Sequence, residues 1–165
     1  MAVTVLNWYD ADRRTVVADE AMAIGDVVKV VTNADGQRHI TKLGDTDDAL
    51  ALSGNIGIVF KVAGTADSVQ ESTAAAATGD RTVSIASGDL VTLVRKAIVE
   101  YNADELHASL DPDNSGTLPA VGADLGVSGS KFSTIAAATS AGIASPVIAR
   151  CYMLNGTKVA VELVL

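Results

Sequence analysis

The chain has 165 residues and a formal net charge of −8 at pH 7, and 48% of its residues are hydrophobic. This composition excludes a disordered chain, and the length is that of one domain with a substantial core. The 12 lysines and arginines are scattered, whereas binding to a duplex or to an anionic membrane needs clustered positive charge. We therefore expect neither nucleic acid nor a membrane as a direct partner.

The single cysteine, Cys151, cannot form an internal disulfide. Its isolation fits a reducing cytosol or assembly within one. No apolar run approaches the roughly 18 residues of a membrane-spanning helix, and the start of the sequence has no basic stretch followed by a long apolar one. We expect no signal peptide and no membrane span.

Residues 1–20 are predicted to form an N-terminal arm. Two of the few aromatic residues, Trp8 and Tyr9, stand close to the basic pair Arg13 and Arg14. Aromatic and arginine side chains are the usual anchors of protein interfaces, so we predict these four as interface residues. The alternative is that the two aromatic residues cap the core of their own domain.

The rest of the chain, 21–165, is predicted to be a single β-rich domain that includes a repeated pattern. Ala23-Ile-Gly-Asp-Val-Val-Lys-Val30 indicates a tight turn that leads into a strand, because glycine and aspartate favour turns and valine favours strands. The pattern returns as Ala86-Ser-Gly-Asp-Leu-Val-Thr-Leu93. It suggests two related lobes, 23–62 and 86–101, with chance similarity as the alternative.

Short valine-rich runs separated by turn residues predict a mainly β protein. Asn155-Gly156 between two apolar runs predicts a C-terminal hairpin, whose last strand we expect inside a sheet or at a subunit interface. Short helices are expected over 46–52 and 103–110, and long surface loops over 63–80 and 111–129. The predicted strands are 3–6, 15–17, 24–31, 38–43, 56–62, 82–85, 90–94, continued by 96–101, 147–154 and 158–165.

Residue patterns for catalysis or cofactor binding are lacking in the sequence. It contains no Gly-x-Gly, no P-loop and no nucleophile elbow. His39 and His107 have no second ligand at helical or zinc-finger spacing, and Cys151 lies in an apolar strand as expected for a buried thiol. We predict no catalytic residue, no cofactor and no enzymatic activity; a triad assembled only by the fold is the alternative.

One string resembles the first half of a calcium-binding loop. Asp111, Asp113 and Ser115 stand at the first, third and fifth positions, and Gly116 at the sixth. The twelfth position, which should be glutamate, is Gly122. The same residue types form ordinary turns, so we favour no metal and keep a calcium loop as the alternative.

The order of these pieces resembles the small capsid decoration, or cement, proteins of tailed bacteriophages. The resemblance lies in pattern over about two thirds of the chain and includes no diagnostic motif. It implies a small β-barrel or β-tulip-like body with no catalytic residues. The segments that carry the resemblance are Ala23–Val30, Gly54–Lys61, Ser87–Leu93, Ser145–Tyr152 and Lys158–Leu165.

The same resemblance implies a structural role in the virion, on the outside of the capsid, after assembly in the host cytoplasm. The implied partner is the major capsid protein, and we expect a homo-oligomer, a trimer or a dimer. The alternatives are another virion β-module (tail tube, head fibre or host-surface binding) or a small-ligand-binding β-barrel. If the arm is the anchor, removal of residues 1–14 is expected to leave a folded protein that no longer binds its shell.

Overall fold

The computed structural model describes residues 2–7, 11–44, 47, 54–62, 78–80, 84–140 and 147–164. Strands dominate this part of the chain, which confirms the predicted mainly β fold. A short α-helix, α1 (Ile135–Ser140), follows β12. The strands are β1 (Ala2–Val5), β2 (Asp12–Ala18), β3 (Met22–Ala23), β4 (Val27–Thr32), β5 (Arg38–Lys42), β6 (Ile56–Val62), β7 (Thr78–Asp80), β8 (Ser84–Ile85), β9 (Leu90–Arg95), β10 (Ile98–Asn102), β11 (Asp124–Ser128), β12 (Lys131–Thr134), β13 (Ala149–Asn155) and β14 (Lys158–Leu163).

Five strands close into a barrel in the order β2-β5-β4-β6-β9. β4 and β5 form the predicted hairpin, in which Val30 pairs with Ile40. The Asn33 side chain holds its turn, since Oδ1 accepts hydrogen bonds from the amides of Asp35 (3.1 Å) and Gln37 (2.9 Å). β2 and β5 run parallel, while the other neighbours in the barrel are antiparallel.

A seven-stranded antiparallel sheet packs beside the barrel, in the order β12-β11-β13-β14-β10-β1-β7. β13 and β14 form the predicted C-terminal hairpin. Asn155 pairs with Lys158, so the two loop residues are Gly156 and Thr157. Two-residue loops of this kind match the right-handed twist of the strands they join.

Two cores result because side chains alternate between the faces of each barrel strand. The inner faces fill the barrel, as expected when only five strands close. The outer faces of β4, β6 and β9 pack against the seven-stranded sheet, where Phe60, Tyr101 and Phe132 are the largest buried side chains among the described residues. The residues of the barrel interior are Val16, Ala18, Met22, Ile24, Val28, Ile40, Val59, Ile85, Val91 and Leu93.

The repeated Gly-Asp pattern forms the same turn twice. Gly25 and Gly88 have φ angles of 91° and 93°, a conformation that L side chains rarely adopt. In the first turn the Ala23 amide donates to Asp26 Oδ2 at 2.9 Å. In the second, the Ala86 amide donates to the corresponding oxygen of Asp89 at 2.8 Å. The predicted turn geometry is therefore confirmed at both places.

The two turns are related by a local twofold. β3 and β8, which lead into them, pair antiparallel with each other, and Met22 pairs with Ile85, its own counterpart in the repeat. Beyond the turns, Gly25 donates to Val59 O (2.6 Å) and Gly88 donates to Ala18 O (2.7 Å). The repeat thus lies within one barrel, and its two halves do not form separate lobes.

The N-terminal segment 1–20 does not form an arm in its described part. β1 pairs with β10 and β7 in the seven-stranded sheet, and β2 pairs with β9 from Asp12 to Val17. Its apolar side chains, such as Val3 and Val16, lie in the two cores. The domain boundary at residue 20 is therefore wrong, because these strands supply backbone hydrogen bonds and buried surface to the body.

Other boundaries were shifted by local backbone features. The strand runs predicted over 90–94 and 96–101 are not continuous: the chain turns at Lys96 (φ 49°), where it leaves the barrel for the sheet. The helix predicted over 103–110 is two 3-10 turns, although its predicted capping box forms, with Asn102 N donating to Glu105 Oε2 at 3.0 Å. The loop predicted over 111–129 includes a 3-10 turn and all of β11. Most of the loop predicted over 63–80 and, apart from Asp47, the helix predicted over 46–52 lie outside the described residues.

Candidate functional site

The predicted anchor residues are only partly placed by the structure. Trp8 and Tyr9 lie outside the described residues. Arg13 and Arg14 are neighbours on β2, so they point to opposite faces of the strand. Arg14 is exposed and forms an ion pair with Asp12 (Nη2–Oδ2, 3.2 Å). The two arginines therefore do not form one basic anchor.

The candidate calcium loop folds as a capped 3-10 turn. Asp111 is buried, and its Oδ1 accepts a hydrogen bond from Asp113 N at 3.0 Å, while Oδ2 accepts one from Asn114 Nδ2. Asp113 and Ser115 are exposed. Since protein donors occupy both oxygens of Asp111, the carboxylate acts as a cap in this structure.

Packing accounts for Gly116 at the sixth position of that loop. A Cβ atom there would lie 2.1 Å from the backbone oxygen of Ala108 and 2.7 Å from the Asp111 amide. In the described part of the chain, no three His, Cys, Asp or Glu side chains are grouped so that they could hold a metal ion.

His39 has partners that the sequence spacing did not reveal. Its Nδ1 lies within hydrogen-bond distance of Asp19 Oδ1, and its Nε2 lies 3.0 Å from Asn33 Nδ2. Because Asn33 Oδ1 is already an acceptor for two backbone amides, its Nδ2 is the donor to His39, and Nδ1 carries the proton shared with Asp19. The nearby Ser87 hydroxyl donates to the Asp19 backbone oxygen at 2.9 Å. These contacts tie the β4–β5 turn to the end of β2.

The surroundings of Cys151 and His107, the other two candidate reactive residues, indicate structural roles. Cys151 is buried as predicted, and this burial raises the pKa of its thiol, which disfavours the reactive thiolate. His107 caps a 3-10 turn, since its Nδ1 accepts a hydrogen bond from the Ser109 amide at 3.1 Å.

Among the described residues, the C-terminal hairpin has the most prominent apolar surface. Tyr152, Met153 and Leu154 are consecutive and exposed, with 48% of Tyr152 accessible. The register shifts between Cys151 and Met153, so Tyr152 is the extra residue of a β-bulge. Val121, 63% exposed, adjoins them through the hydrogen bond from Gly122 N to Cys151 O (2.8 Å). We call these four residues the hairpin patch.

The hairpin patch is also at a strand edge. β11 pairs with β13 only at Ala149 and Arg150, and among the described residues no strand covers the outer edge of 152–155. Exposed edges with apolar side chains are typical of protein-binding surfaces. Sequence reasoning missed this patch, although four apolar residues in a row, 151–154, cannot all face one side of a strand.

The second Gly-Asp turn forms another exposed surface. Ala86, Ser87 and Gly88 are exposed, and Leu90 is 51% accessible. Its counterpart in the first turn, Val27, is completely buried. Identical backbone geometry therefore occurs once inside the molecule and once on its surface.

The comparisons with known proteins do not add an identity to this geometry. No protein-family model matches the chain, and no curated protein matches it. Within the described residues, none of the helices has the length and apolar character needed to cross a membrane.

Proposed function

We propose that the chain is a structural protein that binds the outer surface of a tailed-bacteriophage capsid and stabilises the head, as decoration proteins do. Its partner is then the major capsid protein, its location is the virion, and it works as an oligomer without enzymatic activity. The resemblance in sequence pattern motivates this proposal. The observation that carries it is that a well-packed body leaves apolar surface exposed at the hairpin patch, which contacts with other subunits of an assembly would cover.

The barrel interior argues against the ligand-binding alternative. Ten buried side chains, contributed by the barrel strands and the β3–β8 ribbon, fill it. Ligand-binding pockets usually enclose several hundred cubic ångströms. A cleft of about 310 Å³ lies outside the barrel and is lined by polar residues such as Arg95 and Glu162 together with apolar ones such as Leu163. The filled barrel and the exposed hairpin patch therefore favour binding to another protein over binding of a small molecule inside the barrel.

The charge distribution also supports binding on the outside of a shell. A net charge of −8 disfavours contact with packaged nucleic acid. Binding in many copies would stabilise the shell by mass action, and linkage within an oligomer would raise the avidity.

Electron microscopy of expanded heads tests the proposal directly. Heads that lack the protein are imaged before and after addition of the purified chain. We expect new density on the outer surface at symmetry-related positions. Heads without added density at saturating protein contradict the proposal, and extended tubes or fibres of the purified chain would favour a tail-tube or head-fibre role instead.

The arginine part of the predicted interface is tested with point variants. Removal of residues 1–14 is unsuitable, because it deletes β1 and half of β2 and should unfold the protein. Arg13→Gln and Arg14→Gln keep the strand intact. Reduced occupancy on the heads, compared with the control Arg38→Gln at another exposed arginine, would support the anchor assignment. Unchanged occupancy would contradict it.

A further inference from the structure

The first Gly-Asp turn shows what this backbone geometry binds. The seven-stranded sheet covers it through two polar contacts: Tyr101 Oη donates to Gly25 O at 3.1 Å, and Val27 N donates to Ser130 O at 2.9 Å. Apolar contacts complete the cover, since Ile24 and Val27 are buried. An aromatic hydroxyl on a β-strand and an adjacent β-turn therefore fit this turn.

The second turn presents the equivalent groups at the surface. The local twofold places Gly88 O in the position of Gly25 O, and Leu90 in the position of Val27. Gly88 and Leu90 are exposed. The surface formed by 86–90, which we call the open turn, thus has the acceptor and the apolar side chain, and no described residue covers it as Tyr101 and Ser130 cover the first turn.

The hairpin patch carries the complementary groups. Of the described tyrosines, Tyr101 is buried against the first turn, whereas Tyr152 is exposed on a β-strand close to a two-residue turn. Met153 and Leu154 lie beside it and are exposed as well. A second copy of the chain therefore offers the same kinds of group that cover the first turn.

Charge is complementary between the two surfaces. The open turn contains Asp89 and adjoins Asp19 and Glu20, through hydrogen bonds from Gly88 N to Ala18 O and from Ser87 Oγ to Asp19 O. In the hairpin, Lys158 is the one charged residue between Tyr152 and Val161. Its side chain is half exposed, although it also pairs with Glu100 at 3.3 Å.

We propose that the hairpin patch of one copy docks on the open turn of a second copy, with the Tyr152 hydroxyl directed at Gly88 O and Met153 packed on Leu90. Because the contact joins two different surfaces, each copy is related to the next by a rotation. The oligomer closes into a ring if this rotation, repeated from copy to copy, returns to the first copy. This inference rests on the proposed function in one respect: it names the contact through which the expected oligomer forms.

Sedimentation of the full chain measures this association. The wild-type protein is expected to form a discrete oligomer. Leu90→Asp and Tyr152→Ser should each weaken the association by about tenfold or more, because they replace central apolar anchors. Leu6→Asp, at another exposed leucine, is the matched control and should leave the oligomer intact. Circular dichroism and thermal unfolding of each variant verify that it is folded.

Mixing the two variants provides the decisive measurement. Leu90→Asp copies retain the hairpin patch and Tyr152→Ser copies retain the open turn, so the mixture should associate although neither variant does so alone. No association in the mixture, or equal weakening by Leu6→Asp, would overturn the proposed contact. A monomeric wild-type chain that still decorates heads would overturn this inference and the expected oligomer, and would leave the proposed binding to the capsid standing.

Discussion

The two Gly-Asp turns share a backbone but differ in their surroundings. Both have a glycine near φ 90° and an aspartate that accepts a hydrogen bond from the amide three residues earlier. In the first turn Val27 is fully buried under the seven-stranded sheet, while in the second Leu90 is half exposed. The comparison shows that local sequence sets the shape of the turn and that a packed element decides whether it belongs to the core or to the surface.

The largest expected difference between the turns is in folding stability. Val27→Asp buries an uncompensated charge, so it should cost about 4 kcal/mol or more and leave little folded protein. Leu90→Asp, the same charge at the counterpart position, should change the free energy of unfolding of the dilute monomer by about 0.5 kcal/mol or less. Urea denaturation followed by circular dichroism measures both values; similar costs would show that Leu90 is not exposed in solution.

The sequence predicts this turn well, because its determinants are local. Glycine and aspartate followed by valines specify the turn and the strand within a few residues, and the same holds for the hairpins β4–β5 and β13–β14. The burial difference is not local. It depends on Tyr101 and Ser130, which are distant in sequence from the first turn and which no pattern near Gly25 indicates.

The candidate surfaces were harder to predict for the same reason. Arg13 and Arg14 look like parts of an arm until β2 is seen to pair with β9 in the barrel. The partners of His39 come from β2 and from the β4–β5 turn, so its surroundings require the tertiary fold. The hairpin patch had a local signal in its uninterrupted apolar run, but only the bulge at Tyr152 determines which side chains are exposed.

The cover over the first turn is tested by Tyr101→Phe. This change removes the hydroxyl that donates to Gly25 O and leaves a buried carbonyl without that donor, at a cost of about 1–3 kcal/mol. Tyr152→Phe removes an exposed hydroxyl and should leave the unfolding free energy of the monomer almost unchanged. If the two variants unfold at the same urea concentration, the hydroxyl of Tyr101 contributes nothing to the cover.

Replacement of the aspartate in each turn should give a smaller difference in unfolding free energy between the two turns. Asp89→Ala removes the acceptor for the Ala86 amide at an accessible site, where water can replace it, and should cost about 0.5–1 kcal/mol. Asp26→Ala removes the same contact inside the core, where water does not replace it, and should cost about 1–3 kcal/mol. Equal losses in urea denaturation would mean that burial adds nothing to this hydrogen bond.

The smallest expected effect comes from giving the open turn the side chain of its counterpart. Ser87→Ile introduces the residue that stands at position 24, where it is buried. At position 87 the new side chain would remain exposed and would lose the hydrogen bond from the serine hydroxyl to Asp19 O, so the unfolding free energy should change by about 0.5 kcal/mol or less. A gain of more than about 1 kcal/mol would require the isoleucine to be buried as at position 24. Such a gain, measured in dilute monomer, would mean that part of the same chain already covers the open turn. The difference in burial between the two Gly-Asp turns would then disappear.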